Sequence, residues 1–200
     1  MAEPLEGPRG TPVPDARQRI VQAAYELFAR RGIRDVGVDE VIGRAGVAKA
    51  TLYRHFRSKD ELVLAFLDRR DEIWVRDWLV VEAWRRGSNA EERLLAFFDV
   101  LDEWFHRGDY ESCSFINALL EMGLAHPVGA ASARHLENIR SVLRDLAKED
   151  LLRDPDGFAH SYQLLMKGSV VAAAAGDLDA AGRAKSLALL LLDQHRGMER

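Results

Sequence analysis

The order of apolar and polar residues predicts helices along almost the whole chain. From Ile20 to Phe28, apolar side chains recur at i, i+3, i+4, i+7 and i+8, which is the spacing of one helical face. Asp15 with Gln18 three residues later resembles a capping box at the start of this helix, and Gly32 marks its end. The first element is therefore predicted to be an amphipathic helix.

The same reasoning predicts further helices and no strand. Two short helices flank Gly46, and a long one follows a cap formed by Ser58 and Glu61. Ser88 with Glu91, and Asp154 before Pro155, mark two later helix starts. The ranges predicted after the first helix are 38–45, 49–56, 58–78, 88–105, 111–123, 128–151, 155–176 and 180–195. The chain is thus predicted to be all-α, with about nine helices and no internal repeat.

The distribution of proline divides the chain. Four of the six prolines lie in residues 1–14, a composition that cannot bury enough apolar surface to fold, so this segment is predicted to be a flexible tail. Residues 15–62 are predicted to form a helix-turn-helix domain and residues 63–200 a helical body.

The two short helices around Gly46 are typical of a helix-turn-helix, in which the second helix enters the major groove of DNA. In that second helix Leu52 and Phe56 share one face, so they should pack inward with Val47. Its other side chains suit DNA, because hydroxyls and cations bond phosphate oxygens and can reach base edges. They are Lys49, Thr51, Tyr53, Arg54 and His55, and Lys59 follows in the first turn of the next helix.

Charge is spread unevenly around the net value of −4. Residues 15–70 hold 12 Lys/Arg against 8 Asp/Glu, whereas residues 71–200 hold 15 against 22. Between Arg44 and Lys59 there are five Lys/Arg and no acid. This asymmetry favours a nucleic-acid partner for the N-terminal part. Pattern and charge alone are equally compatible with a helical hairpin that has a solvated basic face.

Residues 16–66 resemble the N-terminal DNA-binding domain of the TetR/AcrR (tetracycline-repressor) family of bacterial transcription regulators. The resemblance rests on Ala23-Ala24-x-x-Leu27-Phe28, Gly32, Ala45-Gly46-Val47 and Thr51-Leu52-Tyr53-x-x-Phe56-x-x-Lys59-x-x-Leu62. It implies an all-helical dimer that binds a palindromic operator on double-stranded DNA and represses transcription until a small ligand binds.

Carried over by position, the resemblance implies DNA contacts for seven of eight candidate residues. The resemblance implies backbone contacts for Thr51, Tyr53, His55 and Lys59, base contacts for Lys49 and Ala50, and a groove or flanking contact for Arg44. The eighth candidate, Arg54, rests on its charge and its place on the second motif helix.

Four positions depart from the family pattern. Gly37 stands where a Ser or Thr commonly caps the first motif helix, and Ala48 replaces a common Ser cap of the second. Ile42 and Gly43 replace a more usual small-then-polar pair, and a glycine inside a helix lowers its stability. DNA binding is expected to be retained despite these departures, with a first motif helix that is less stable than is usual in the family.

In the body, the resemblance implies a dimer interface and a ligand pocket. The last two helices are expected to form a four-helix interface with a second copy, through Val171, Ala174, Ala175, Leu187, Leu190 and Leu191. Without the resemblance, burial of these faces within one subunit would be preferred. Most large side chains of the middle helices should be core. The candidates for a mainly apolar ligand pocket are Trp78, Phe98, Phe105, Phe115, Asn117, Met122, His135, Tyr162, Gln163 and Met166.

Other classes of protein find little support. A single cysteine, Cys113, excludes an internal disulfide framework, and no apolar run is long enough to span a membrane. No catalytic, metal-binding or cofactor motif is visible, so no enzyme activity, metal or cofactor is expected. A cytoplasmic protein is predicted. The rival interpretation is a helical ligand carrier or interaction protein with vestigial DNA binding, which Gly37, Ile42 and Ala48 would favour.

Overall fold

The computed structural model of the chain describes residues 14–196, and the predicted tail lies almost wholly outside them. Every regular element of the described part is a helix, as predicted. The first three helices are α1 (Ala16–Arg31), α2 (Val38–Ala45) and α3 (Lys49–His55). The fourth, α4, runs without a break through Lys59–Arg70, a π-helical segment Asp71–Val80, and Val81–Arg86. The others are α5 (Ala90–Phe105), α6 (Ser114–Met122), α7 (Pro127–Glu149), α8 (Pro155–Ala174) and α9 (Ala180–His195).

Side-chain caps explain where several helices begin. Asp15 and Gln18 form the predicted capping box before α1, and the Asp154 carboxylate accepts a hydrogen bond from the amide of Gly157 before α8. The prediction for α5 was wrong by one residue. Its N-cap is Asn89, whose side chain accepts from the Glu92 amide, rather than Ser88 with Glu91. The range predicted as 111–123 was also too long, because α6 begins only at Ser114.

Two apolar cores lie one after the other along α4. The N-terminal core joins α1, α2 and α3 to the first half of α4 through buried side chains such as Phe28, Leu52 and Phe66. It extends into α6 and the start of α7 through Phe115 and Val128. The second core is built from α5, α8, α9 and the second halves of α4 and α7. Helix α4 thus runs from the helix-turn-helix into the body, and α7 also contributes to both cores. No helix within residues 14–196 is both long and apolar enough to cross a membrane.

Candidate nucleic-acid interface and internal cavity

The turn between α2 and α3 depends on Gly46. Its backbone is left-handed, with φ 62° and ψ 42°, a conformation that a residue without Cβ adopts at little cost. A tight turn of residues 46–48 therefore joins α2 to α3. Neither motif helix has a side-chain cap, because Gly37 and Ala48 stand at the two N-cap positions.

Helix α3 has one buried face and one exposed face. Leu52 is 1% exposed and Phe56 3%, so the predicted inward packing is confirmed. Thr51 and Lys59 are half-buried, and Lys59 lies 6.0 Å from the centroid of the Phe28 ring. The remaining candidates on α3 are all exposed and form a continuous polar surface: Lys49, Ala50, Tyr53, Arg54 and His55.

Two of the candidate DNA contacts already have acidic partners. The Nε atom of Arg44 donates to the Glu26 carboxylate at 2.8 Å, and the Nζ atom of Lys49 lies 3.1 Å from the Oδ1 atom of Asp39. Hydrogen bonds from Gln22 and from Arg44 lower the pKa of Glu26, which keeps that acid ionised. Both pairs hold basic side chains near the edge of α3 before any DNA arrives.

Two further cations lie beside the α3 surface and were missed by the sequence reasoning. Arg57 is exposed in the turn before α4, and Arg17 at the start of α1 lies 5.4 Å from the centroid of the Phe56 ring. The acid-free stretch from Arg44 to Lys59 already contained Arg57. Nothing in the sequence pointed to Arg17, because only the packing of α1 on α3 brings it there.

The body contains a partly open cavity of about 80 Å³ between α4, α5, α6, α7 and α8. Its wall is mostly aromatic and aliphatic. Four predicted pocket residues belong to the wall: Trp78, Phe115, Gln163 and Met166. The other wall residues are Arg70, Trp74, Val75, Leu79, Leu101, Trp104, Cys113, Ser114, Ile116, Leu136, Ile139, Lys167 and Val170.

The remaining pocket candidates lie outside this wall. Phe98, Phe105 and Tyr162 are buried in the core of the body, where the Tyr162 hydroxyl donates to the Leu94 carbonyl. Asn117 is exposed, and Met122 packs against the N-terminal core.

His135 lies behind the wall, stacked on Phe115 with ring centroids 4.9 Å apart. Its two ring nitrogens are each 3.4 Å from a carboxylate of α4, those of Asp68 and Asp71. His135 therefore connects α7 with α4 at the point where the two cores meet.

Helix α6 connects the cavity with the helix-turn-helix. Its first turn supplies wall residues, and the Glu121 carboxylate in its last turn accepts hydrogen bonds from the backbone amides of Ile33, at 3.1 Å, and Arg34, at 2.5 Å. Just before α6, Glu111 lies 3.2 Å from the Nε atom of Arg30. The end of α1 is therefore held by α6 as well as by α4.

The proposed dimer faces of α8 and α9 carry exposed apolar side chains. Val171 is 54% exposed, Leu187 52% and Leu190 66%. Ala174 and Ala175 are also exposed, whereas Leu191 is half-buried. The structure adds Leu164, 71% exposed and two turns before Val171, which the sequence reasoning had not selected.

Comparison with known proteins assigns the family. Residues 20–66 match the model of bacterial regulatory proteins of the tetR family. Over 177 residues the chain is 30% identical to the transcriptional regulator AcuR of Cereibacter sphaeroides, an alignment that covers 83% of this chain and 80% of AcuR. The chain belongs to the TetR family. This TetR-family protein is also 40% identical over 100 residues to the transcriptional activator FasR of Mycolicibacterium smegmatis, covering 47% of the chain but only 45% of FasR.

The fold agrees with this assignment. A crystal structure of a TetR-family transcriptional regulator from Streptomyces coelicolor superimposes with a TM-score of 0.80 at 27% identity, over 90% of this chain and 95% of that one. The predicted family and the predicted arrangement, an N-terminal helix-turn-helix followed by a helical body, are confirmed. The protein is a transcriptional regulator of the DNA-binding kind.

Proposed function

We propose that this regulator binds a palindromic operator as a homodimer, represses transcription there, and is released when a small, mainly apolar ligand enters the cavity. The observation that carries the proposal is the position of α4. Its first half packs in the core of the helix-turn-helix, and its second half supplies Trp74 and Trp78 to the cavity wall. Binding of DNA and binding of ligand would therefore both act on α4.

The exposed surface of α3 would lie in the major groove. Lys49 and Ala50, in its first turn, would meet base edges, while Thr51, Tyr53 and His55 would contact phosphates. The Ala50 side chain offers only a methyl group, so base discrimination would depend on Lys49, on Arg44 and on the shape of the DNA. Lys49 and Arg44 already pair with Asp39 and Glu26, so DNA would compete with these acids or bond the remaining N–H donors of the two cations.

A dimer is needed because one recognition helix offers little contact. Successive major grooves on one side of DNA are about 34–36 Å apart, so two copies of α3 at that separation would read two half-sites. The exposed apolar side chains of α8 and α9 support the pairing of these helices with the same helices of a second copy.

Release of the regulator from its operator would be a shift in population between two conformations. A ligand that binds more tightly to a conformation with α4 tilted would favour that conformation, and tilting would change the spacing of the two recognition helices. Coupling between two such sites is typically about 1–3 kcal/mol, or about 5–150-fold in operator affinity.

The test begins with selection of bound duplexes from random DNA by the purified full-length protein at moderate salt. Recovery of a palindrome with half-sites about one helical turn apart supports the proposal. Binding that is sensitive to salt but shows no sequence preference, or no binding at all, contradicts the proposal and favours the carrier interpretation.

Variants then separate the roles on the selected operator. Tyr53→Phe should weaken binding to all sequences alike, whereas Lys49→Met should relax discrimination between them. Lys148→Met, an exposed change on α7, is the matched control. A transcription assay in vitro with the same operator shows the sign of regulation, which matters because one relative is named as an activator.

A further inference from the structure

Two buried polar groups in the cavity wall have no hydrogen-bond partner within residues 14–196. They are the indole Nε1 of Trp104 and the hydroxyl of Ser114, and both residues are 6% exposed. A buried polar group without a partner destabilises the protein, because it has lost its hydrogen bonds to water. A purely hydrocarbon ligand would leave that cost unchanged. A ligand with an acceptor oxygen would remove it, because the indole N–H can only donate and the hydroxyl can donate.

The wall also contains two cations and no acid. Arg70 is buried, with its guanidinium carbon 4.4 Å from the centroid of Trp74 and its Nη1 atom 3.7 Å from the Glu111 carboxylate. Lys167 is half-buried and forms no ion pair in the described part of the chain. Burial lowers the pKa of Lys167, and Arg140 lowers it further. Lys167 is therefore a partly desolvated cation without a counter-charge.

Three contacts place these groups beside the segment that leads into α6. Arg70 lies 3.7 Å from the carboxylate of Glu111, which precedes Cys113 by two residues. The Tyr110 hydroxyl donates to the carbonyl of Val170, one turn after Lys167 on α8, and the Tyr110 ring lies 4.8 Å from that of Trp104. Ser114 follows Cys113 in the chain, and much of the rest of the wall is aliphatic, as at Leu79 and Leu101.

Size restricts the ligand further. The cavity measures about 80 Å³ and is partly open to solvent, so it suits a ligand of only a few carbon atoms. Within the effector-release function proposed above, we propose that the effector is the anion of a short-chain carboxylic acid. Its carboxylate lies at the end formed by Arg70, Cys113 and Lys167, accepts hydrogen bonds from Ser114 and Trp104, and directs its apolar chain toward Leu79 and Leu101.

The test compares ligands of equal size. Binding of butanoate, butanamide and butan-1-ol to the full-length protein is measured by titration calorimetry, and butanoate should bind at least tenfold more tightly than either neutral compound. Lys167→Met should remove that preference, and Lys167→Arg should retain it. Lys148→Met, which removes an exposed lysine of α7, should leave it unchanged. Thermal unfolding of each variant shows whether it has folded.

The outcomes separate this inference from the proposed function. If the neutral compounds bind as well as butanoate, or if none of the three binds, the carboxylate inference is overturned. If folded Lys167→Met keeps the full preference for butanoate, the assigned position is wrong. If butanoate is preferred as expected but leaves operator affinity unchanged, the carboxylate site stands and ligand-controlled release fails.

Discussion

The contact between Glu121 and the end of α1 gives the sharpest test of how the body holds the DNA-binding helices. One carboxylate accepts hydrogen bonds from two successive amides, those of Ile33 and Arg34. Glu121→Ala removes both bonds, and Glu121→Gln keeps a single acceptor oxygen while turning an amide N–H₂ toward the other donor. The alanine variant should therefore lose more stability than the glutamine variant.

The magnitude follows from the two bonds. A hydrogen bond to a charged group contributes about 1.5–3 kcal/mol, and the bond from Arg34 is discounted because that residue is exposed to water. A total of about 2 kcal/mol is therefore expected for Glu121→Ala and about 1 kcal/mol for Glu121→Gln. For a chain of this size, 2 kcal/mol lowers the melting temperature by roughly 4–8 °C.

The assay is thermal unfolding by circular dichroism, combined with amide hydrogen exchange over residues 32–35. The control is Glu72→Ala, which removes an exposed pair with Arg69 on the surface of α4 and should cost well under about 1 kcal/mol. The reasoning is refuted if Glu121→Ala melts like the control, or if the Ile33 and Arg34 amides keep their protection from exchange.

Three further predictions concern other parts of the molecule. Ala48→Ser supplies the missing cap of α3 and should raise the free energy of unfolding by about 1 kcal/mol in urea titrations; an unchanged midpoint contradicts this. Burial raises the pKa of Tyr110 from 10.0 to about 12, so its contribution to stability is complete below pH 10 and falls between pH 10 and 12, where only the unfolded chain loses the phenolic proton. Tyr110→Phe, which also removes the bond to the Val170 carbonyl, should be less stable at pH 8, with a deficit that shrinks above pH 10; a constant deficit contradicts the reasoning. Leu190→Glu should produce a monomer in sedimentation and lower operator affinity more than tenfold, unlike Leu151→Glu at a more exposed site outside the helices, and a persistent dimer would place the interface elsewhere.

The sequence predicted helices well where local chemistry decides them. Asp15 and Asp154 offer cap geometry that needs no tertiary partner, and both caps are present. The first residue of α5 was harder to predict, because Ser88 and Asn89 are both good N-cap residues. Packing of the whole helix selects between them. The π-helical segment of α4 left no recognised signal in the pattern.

The two candidate sites also differ in how far local sequence determines them. The exposed face of α3 could be predicted because Leu52 and Phe56 fix which side is buried. The cavity could not, since Phe98 and Tyr162 have the same helical spacing and residue type as wall residues such as Trp78 but fill the core. Spacing shows that a side chain faces inward. Whether it meets another side chain or empty space depends on how the helices cross.

The π-helical segment Asp71–Val80 gives α4 a second role. It sets how far one half of the helix is rotated about the helix axis relative to the other half. Each i→i+5 turn takes up more residues than an α-turn, and each residue of an α-helix corresponds to a rotation of about 100°. The face that Phe66 presents to the DNA-binding helices and the face that Leu79 presents to the body are therefore related by the length of this segment. Removing one residue from it would rotate one face against the other by somewhat less than the roughly 100° per residue of an α-helix, while leaving the apolar composition of α4 almost unchanged. The direction in which α3 meets DNA is thus set partly by a count of residues along α4, at a distance from the motif itself.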